Sequence, residues 1–251
     1  VPLLVDNEGE PNFHSIDSAT RAIAQGLRGR ALVIFETTLP IGTTSHRFVP
    51  LLEQHRVPDV SERPDVVFSP ERVSSGRVFS DLRKYPKLVG GVSDEAGERA
   101  IRFYERALEF DDRLDLDRPN GVWNLGSSEA AEFAKLAETT YRDVNIALAN
   151  QFARYAMRIG VDFYEIIAAC NSQPFSHIHR PGVAVGGHCI PVYPQLYCWT
   201  DEDASLVRHA RAVNNAMPDF AVDELEQALG TLEGKQILIL GLAYRGGVKE
   251  D

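Results

Sequence analysis

The stretch Gly182-Val183-Ala184-Val185-Gly186-Gly187-His188-Cys189-Ile190-Pro191-Val192 carries the side chain best placed for chemistry, the Cys189 thiol. Missing side chains at the three glycines let the backbone meet a ligand closely, and Pro191 stiffens the chain just beyond the thiol. A thiol presented in this way suits covalent capture of an electrophilic carbon, provided that positive charge or N–H donors favour the thiolate. A small buried cysteine is the competing reading, the one that fits Cys170 and Cys198. His188 adjoins Cys189, but neighbouring side chains in extended chain point apart, which argues against a Cys-His hydrolase pair. His177-x-His179 puts two imidazoles on one face of a strand, and no third metal ligand is evident.

Other candidates lie at element ends. Glu71 follows Ser69-Pro70 where an apolar strand stops, and a carboxylate there can act as a base if its pKa is raised, or can pair with Arg72. Thr38 sits at the tip of a strand, where open α/β sheets place ligands, and turn residues are often threonine as well. Lys135 is flanked by Phe133, Ala134, Leu136 and Ala137, which read as buried, so a solvated lysine fits poorly. Arg142 can contact an anion or pair with Glu138 four residues earlier.

The elements that must position these groups alternate at first. Ser15 is a plausible cap for a helix through Ala19, Ile23 and Leu27, and residues 31–35 (ALVIF) read as a buried strand. Further strands are expected at 65–68, 87–89 and 121–125, with Ser93 capping a helix through Ile101, Tyr104 and Leu108. Strands alternating with helices imply a parallel or mixed sheet with helices on its faces. One long helix follows, capped near Ser127 or Ser128 and stopped at Gly160. Its residues Phe133, Leu136, Ala137, Thr140, Val144, Ala147, Leu148 and Gln151 share a face, and 146–153 is apolar except at Asn150 and Gln151. Burial from several directions is therefore expected, beneath its own chain's sheet or against a partner. Helices around 163–170 and 206–214 come next, Pro218 marks a break before a helical pattern at 220–229, and 236–244 reads as a strand running into a glycine turn.

Composition narrows the classes. The 251 residues are 44% hydrophobic and 25% charged, ordinary for a globular chain. A formal charge of -10 disfavours nucleic acid as a partner. No apolar run reaches membrane-spanning length, and three cysteines without a Cys-x-x-Cys arrangement fit a reducing cytoplasm better than a disulfide scaffold.

Six blocks, in order, resemble the UDP-glucose/GDP-mannose dehydrogenase family: 36–44 (ETTLPIGTT), 69–73 (SPERV), 88–91 (LVGG), 134–142 (AKLAETTYR), the cysteine loop, and 240–245 (LGLAYR). The resemblance spans nearly the whole chain. It implies an α/β fold in which residues 1–126 are the C-terminal half of a Rossmann-like NAD-binding domain, 127–217 a central helical dimerisation domain carrying the catalytic cysteine, and 218–251 a linker helix and first strand of a UDP-sugar-binding domain. It implies NAD as cofactor, a UDP-sugar as substrate, a homodimer built around the 128–160 helix, and oxidation of the C6 alcohol to a carboxylate through a cysteine thioester. Cys189, Lys135, Glu71, Thr38 and Thr139 match catalytic positions; Thr38, Glu71 and Gly187 match cofactor contacts; Arg245, Arg142, Gly182, Gly186 and His188 match substrate contacts. The histidine before Cys189 and the run 174–182 (PFSHIHRPG) lie closer to the N-acetylhexosamine branch. They favour UDP-N-acetyl-D-mannosamine over UDP-glucose or UDP-N-acetylglucosamine.

Two departures stand out. Tyr193 occupies the position of a common aspartate four residues after the cysteine, and a phenol with pKa near ~10 is a poor base at neutral pH. Thr139 replaces a common asparagine, keeping an oxygen and losing the amide. No Gly-x-Gly-x-x-Gly fingerprint for a pyrophosphate occurs, so both ends read as cut and the chain as the middle of a longer enzyme. The missing fingerprint and Tyr193 also motivate a rival reading, a non-catalytic dimerisation or sugar-nucleotide-binding fragment.

Overall fold

The computed structural model describes residues 1–6, 8–57, 62–74, 76–187 and 189–241. Arg245, His188 and residues 242–244 of the last expected strand lie outside them. The chain forms two compact units, Val1–Ala137 and Glu138–Asp251.

In the first unit a short hairpin, β1 (Leu4–Val5) and β2 (Pro11–Asn12), precedes α1 (His14–Gly26). The helix starts two residues earlier than a Ser15 cap would give, and Asn12, not Ser15, serves its amino end: Asn12 Oδ1 accepts from His14 N–H at 3.1 Å. Next come β3 (Leu32–Phe35), a π-helical turn (Thr44–Phe48) running into α2 (Val49–His55), β4 (Asp65–Phe68), α3 (Val78–Lys84) and β5 (Lys87–Gly91). Then follow α4 (Asp94–Ala107), β6 (Val122–Asn124) and the first turns of α5 (Ser128–Ile159).

The sheet is mixed, ordered β3-β4-β5-β6. β3 and β4 run parallel with Leu32 opposite Asp65, β4 and β5 antiparallel with Val67 opposite Gly91, and β5 and β6 parallel. The apolar runs are buried: Val67 and Val89 on the strands pack with Ala96, Ala100 and Tyr104 of α4. Ser93 caps α4 as its position predicts, its Oγ accepting from Ala96 N–H at 3.2 Å.

Two glycines allow backbone to touch backbone at the end of β5. A Cβ on Gly90 would lie 1.9 Å from Ser127 O and 2.9 Å from Ala131 Cβ, and one on Gly91 would lie 2.3 Å from Ser93 O and 2.4 Å from Gly97 N. The strand thereby approaches the start of α5 and so helps to place Lys135 two turns along.

The second unit is helical: the remainder of α5, then α6 (Phe163–Cys170), α7 (Cys189–Thr200), α8 (Ser205–Asn215) and α9 (Met217–Leu229). Ala149 and Ala156 of α5 pack on Phe163 and Ile167 of α6. Asp162 caps α6 by accepting from Tyr164 N–H at 2.8 Å. Gly160, at φ +72, ends α5 as expected.

Several expectations are corrected. Residues 189–200 form a helix where the sequence pattern suggested extended chain, with Pro191 in its first turn and Pro194 inside it. Pro218 opens α9 instead of breaking a helix, since its missing N–H costs nothing in a first turn. Residues 236–241 form no strand: Leu238, Ile239 and Leu240 are exposed, and among the described residues no strand offers them a ladder. On α5, Phe133, Leu148 and Phe152 are exposed, whereas Glu132, Lys135, Thr139, Asp143 and Asn150 are buried. The buried side of that helix mixes these polar groups with Ala131, Leu136, Ala147, Ala149 and Ala156.

Gly90→Ala is expected to lower stability by roughly 3 kcal/mol, the upper end for overpacking, because the obstructing atoms include backbone. Urea denaturation measures this, and a loss within error of zero would mean that Ser127 moves freely.

Candidate active site

In the first unit the carboxyl ends of β3 and β4 bring three of the expected residues together. Thr38 is buried just beyond β3, and Glu71 follows β4, its N–H donating to Glu36 O at 3.4 Å. Lys135, only 7% exposed, reaches from α5 and donates to Glu71 O at 2.7 Å. This anchor is a backbone carbonyl, which accepts from the ammonium and fixes its position beside Glu71.

Sequence reasoning missed the groups that hold this cluster. The Glu71 carboxylate accepts from Arg72 N–H at 2.7 Å and Val73 N–H at 3.2 Å through Oε1, and its Oε2 lies 3.4 Å from Lys87 Nζ. Lys87 is 6% exposed and also donates to Glu36 Oε1 at 2.9 Å, to which the Tyr104 hydroxyl donates at 2.6 Å. Burial alone would raise the Glu36 carboxyl, but the Tyr104 and Lys87 hydrogen bonds and the Lys87 charge outweigh it and hold it below its ordinary value. Burial, with Glu36 alongside, pushes the Tyr104 phenol well up. Lys87 sits directly before the 88–91 block, and a lysine opening a fully apolar strand was the available signal.

Glu132, one turn before Lys135, was also missed. Its Oε2 accepts from Gly42 N–H at 2.6 Å, and its Oε1 from Thr44 N–H at 2.8 Å and Thr44 Oγ–H at 2.6 Å. It clamps the far end of the segment that begins at Thr38. Burial raises this carboxyl to about 7 from an ordinary 4.5; the Thr44 and Gly42 donors oppose that shift and the Glu129 charge adds to it.

In the second unit Cys189 is exposed and is the first residue of α7. Gly187 stands at φ +85, a left-handed conformation that only glycine adopts at little cost, which accounts for a glycine there. Gly182 and Gly186 are exposed, and Gly182 N–H donates to Asn150 Oδ1 at 2.9 Å. Thr139 is buried on α5, one turn beyond Lys135. Arg142 is exposed close to His179, whose pKa is lowered by burial first and then by the Arg142 charge and His177. Among the described residues no group of three or more His, Cys, Asp or Glu could hold a metal ion.

Comparison with known proteins places this arrangement. Residues 1–108 match the NAD binding domain of the UDP-glucose/GDP-mannose dehydrogenase family, and residues 129–216 match its central domain. The chain belongs to the UDP-glucose/GDP-mannose dehydrogenase family. It is 39% identical over 248 residues to the UDP-N-acetyl-D-mannosamine dehydrogenase of Pyrococcus horikoshii, covering 96% of this chain and 56% of that protein. It is 34% identical over 255 residues to the NDP-N-acetyl-D-galactosaminuronic acid dehydrogenase of Ralstonia nicotianae, covering 98% of this chain and 57% of that protein. The solved structure of the Pyrococcus horikoshii UDP-D-ManNAc dehydrogenase superposes with TM-score 0.86 at 36% identity, over 98% of this chain and 57% of that one. The chain therefore spans a little over half the length of the relatives it matches. The family is one of NAD-dependent oxidoreductases acting on nucleotide sugars, and NAD is the cofactor of the domain matched by residues 1–108. No helix among the described residues is long and apolar enough to cross a membrane.

Glu132 generates a pH test. Its folded pKa is raised, so its contribution to stability is full below about 4.5 and is lost as pH rises through about 7. At 1.36 kcal/mol per unit that loss is about 3 kcal/mol. Glu132→Gln, which cannot ionise, should gain on the wild type by about that much between pH 4.5 and pH 8 in urea denaturation, even though one N–H bond is lost at both. A difference independent of pH would refute the assignment.

Proposed function

We propose that this chain acts as part of an NAD-dependent nucleotide-sugar 6-dehydrogenase, which oxidises the C6 alcohol of a UDP-hexose to a carboxylate in two steps. UDP-N-acetyl-D-mannosamine is the favoured substrate, a choice supported by the relative in Pyrococcus horikoshii that bears its name. UDP-glucose and UDP-N-acetylglucosamine stand behind it. The observation that carries the reading is the buried Lys135 ammonium, in the matched central domain, anchored on the carbonyl of Glu71, in the matched NAD binding domain.

The residues present fit one end of the cofactor. Thr38 and Glu71 occupy the carboxyl ends of two parallel strands, where open α/β sheets receive nucleotides, whereas no pyrophosphate fingerprint lies in this sequence. NAD, when bound, accepts the hydride in each oxidation. Cys189 adds to the aldehyde carbon left by the first oxidation, forming a C–S bond, and the carbonyl oxygen becomes an oxyanion, the charge assigned to Lys135 to stabilise. Capture as a thiohemiacetal keeps the aldehyde from escaping. Loss of hydride from that carbon restores the carbonyl as a thioester. Water then adds, giving a proton to Glu71 directly or through Thr38 and Thr139, and the C–S bond breaks to release the acid and the thiol. Tyr193 on α7 leaves this water step to those three residues and Lys135. Arg142, beside His179, and Arg245 suit the anionic diphosphate, Gly182, Gly186 and His188 are assigned to the sugar nucleotide, and Gly187 to the cofactor.

We also propose a homodimer through α5. Tyr141, Leu148, Phe152, Tyr155 and Ile159 are 41–59% exposed and recur at helical spacing, one step of two turns and then steps of three or four residues, an apolar stripe of the kind that a second copy of the helix covers. The reaction belongs in the cytoplasm, where thiols such as the three free cysteines stay reduced.

A protein restored to the full length of its relatives should produce two NADH per UDP-N-acetyl-D-mannosamine. Cys189→Ala should abolish turnover, and Lys135→Ala should lower kcat by roughly 10²–10³-fold. UDP-sugar binding without turnover would replace this reading with a non-catalytic sugar-nucleotide-binding fragment. Separately, Leu148→Asp should shift the particle from dimer to monomer in light scattering, and a dimer that survives it would move the interface elsewhere.

A further inference from the structure

A second buried polar cluster, unused by the proposed chemistry, leads to the start of the cysteine loop. Asn150 is fully buried on α5; its Oδ1 accepts from Gly182 N–H at 2.9 Å, and its Nδ2 donates to Asn214 Oδ1 of α8, also at 2.9 Å. Asn214, 2% exposed, donates in turn to Asp143 O at 3.0 Å and Asp143 Oδ1 at 2.8 Å. Arg211 Nη1 closes the run on Asp143 Oδ1 at 2.7 Å.

Two side-chain amides in series have one workable polarity here. The Gly182 N–H can only donate and the Asp143 carbonyl can only accept, so Asn150 must point its oxygen at the loop and Asn214 its nitrogen at α5. With both amides out of water, reversing either would leave like atoms facing each other at about 3 Å and strand buried groups. The loop is braced a second time by Asn171, which exchanges two hydrogen bonds with the backbone of Ile178, at 3.0 and 2.8 Å. Between Gly182 and Cys189 the chain crosses Gly186 and Gly187, which impose little conformational preference of their own.

We infer that Asn150 is a positioning residue for the Cys189 segment, holding the Gly182 amide through an amide relay whose direction is set by Asp143 and transmitted by Asn214. This rests on reading Cys189 as the reacting thiol. The tie itself is testable without turnover.

Amide hydrogen exchange resolved at Gly182, with alkylation of Cys189 by iodoacetamide followed by peptide mapping, tests it on the whole chain. In the wild type the Gly182 amide should exchange roughly ten-fold more slowly than those of Val183 and Ala184. Asn150→Ala should erase that protection and change the Cys189 alkylation rate by roughly three-fold or more, while exchange in α6 stays put. Asn150→Asp keeps the acceptor for Gly182 but sets an oxygen against Asn214 Oδ1. It should therefore lower the thermal midpoint more than Asn150→Ala while protecting Gly182 better. A purely structural asparagine would rank the two variants the same way in both readouts, and that ranking would overturn the inference. So would a wild-type Gly182 amide as fast as its neighbours, a measurement needing no variant to fold. Should the NADH assay fail while Gly182 follows residue 150, the proposed reaction falls and the tie stands; turnover with Gly182 indifferent to residue 150 gives the reverse.

Discussion

Several polar side chains of α5 have been taken out of water, and the protein supplies most of their hydrogen-bond partners. Ser128, Glu132, Lys135, Thr139, Asp143 and Asn150 recur at helical spacing and are all buried. Their partners include backbone groups of distant segments: Gly42 and Thr44 for Glu132, the Glu71 carbonyl for Lys135, and Gly182 for Asn150. An apolar helix face would tolerate a shift of neighbouring loops by a fraction of an ångström. A row of hydrogen bonds does not, because an unmade bond in a dry setting costs about 1–3 kcal/mol. The helix therefore acts as a ruler against which loops are fixed.

Charge is organised on the same principle. The chain is acidic overall at -10, yet its candidate site concentrates cations in desolvated positions, Lys87 between two glutamates and Lys135 on a carbonyl. Lys87 pairs with both carboxylates, and Lys135 donates to a backbone carbonyl. A field of this kind acts at short range and owes little to net charge.

The sequence made the four strands of the mixed sheet readable because each is a short run rich in apolar residues, and it made α4 readable through Ser93 and its periodicity. It did not reveal α7, since three preceding glycines and two prolines mimic loop chemistry while tertiary packing of residues such as Leu196 decides the outcome. The segment 236–241 failed in the opposite sense: a strand pattern is a statement about a neighbour, and no neighbour is present among the described residues. The roles of Glu132, Lys87 and Asn150 were hidden for a further reason. Their partners lie 88–90, 51 and 32–64 positions away, and a polar residue in a helix pattern carries no mark of which distant amide it serves. Asn150 was visible only as an exception in an apolar run.

The glycine pair at the end of β5 does more than admit a close approach. Were β5 to slip one residue along β4 in either direction, Val89 or Val92 would enter space that accepts no Cβ. Mispairing is thus refused by a collision between backbones before burial of apolar area is weighed at all. The alignment of the sheet is enforced by what cannot fit, so it does not depend on the strength of any attraction.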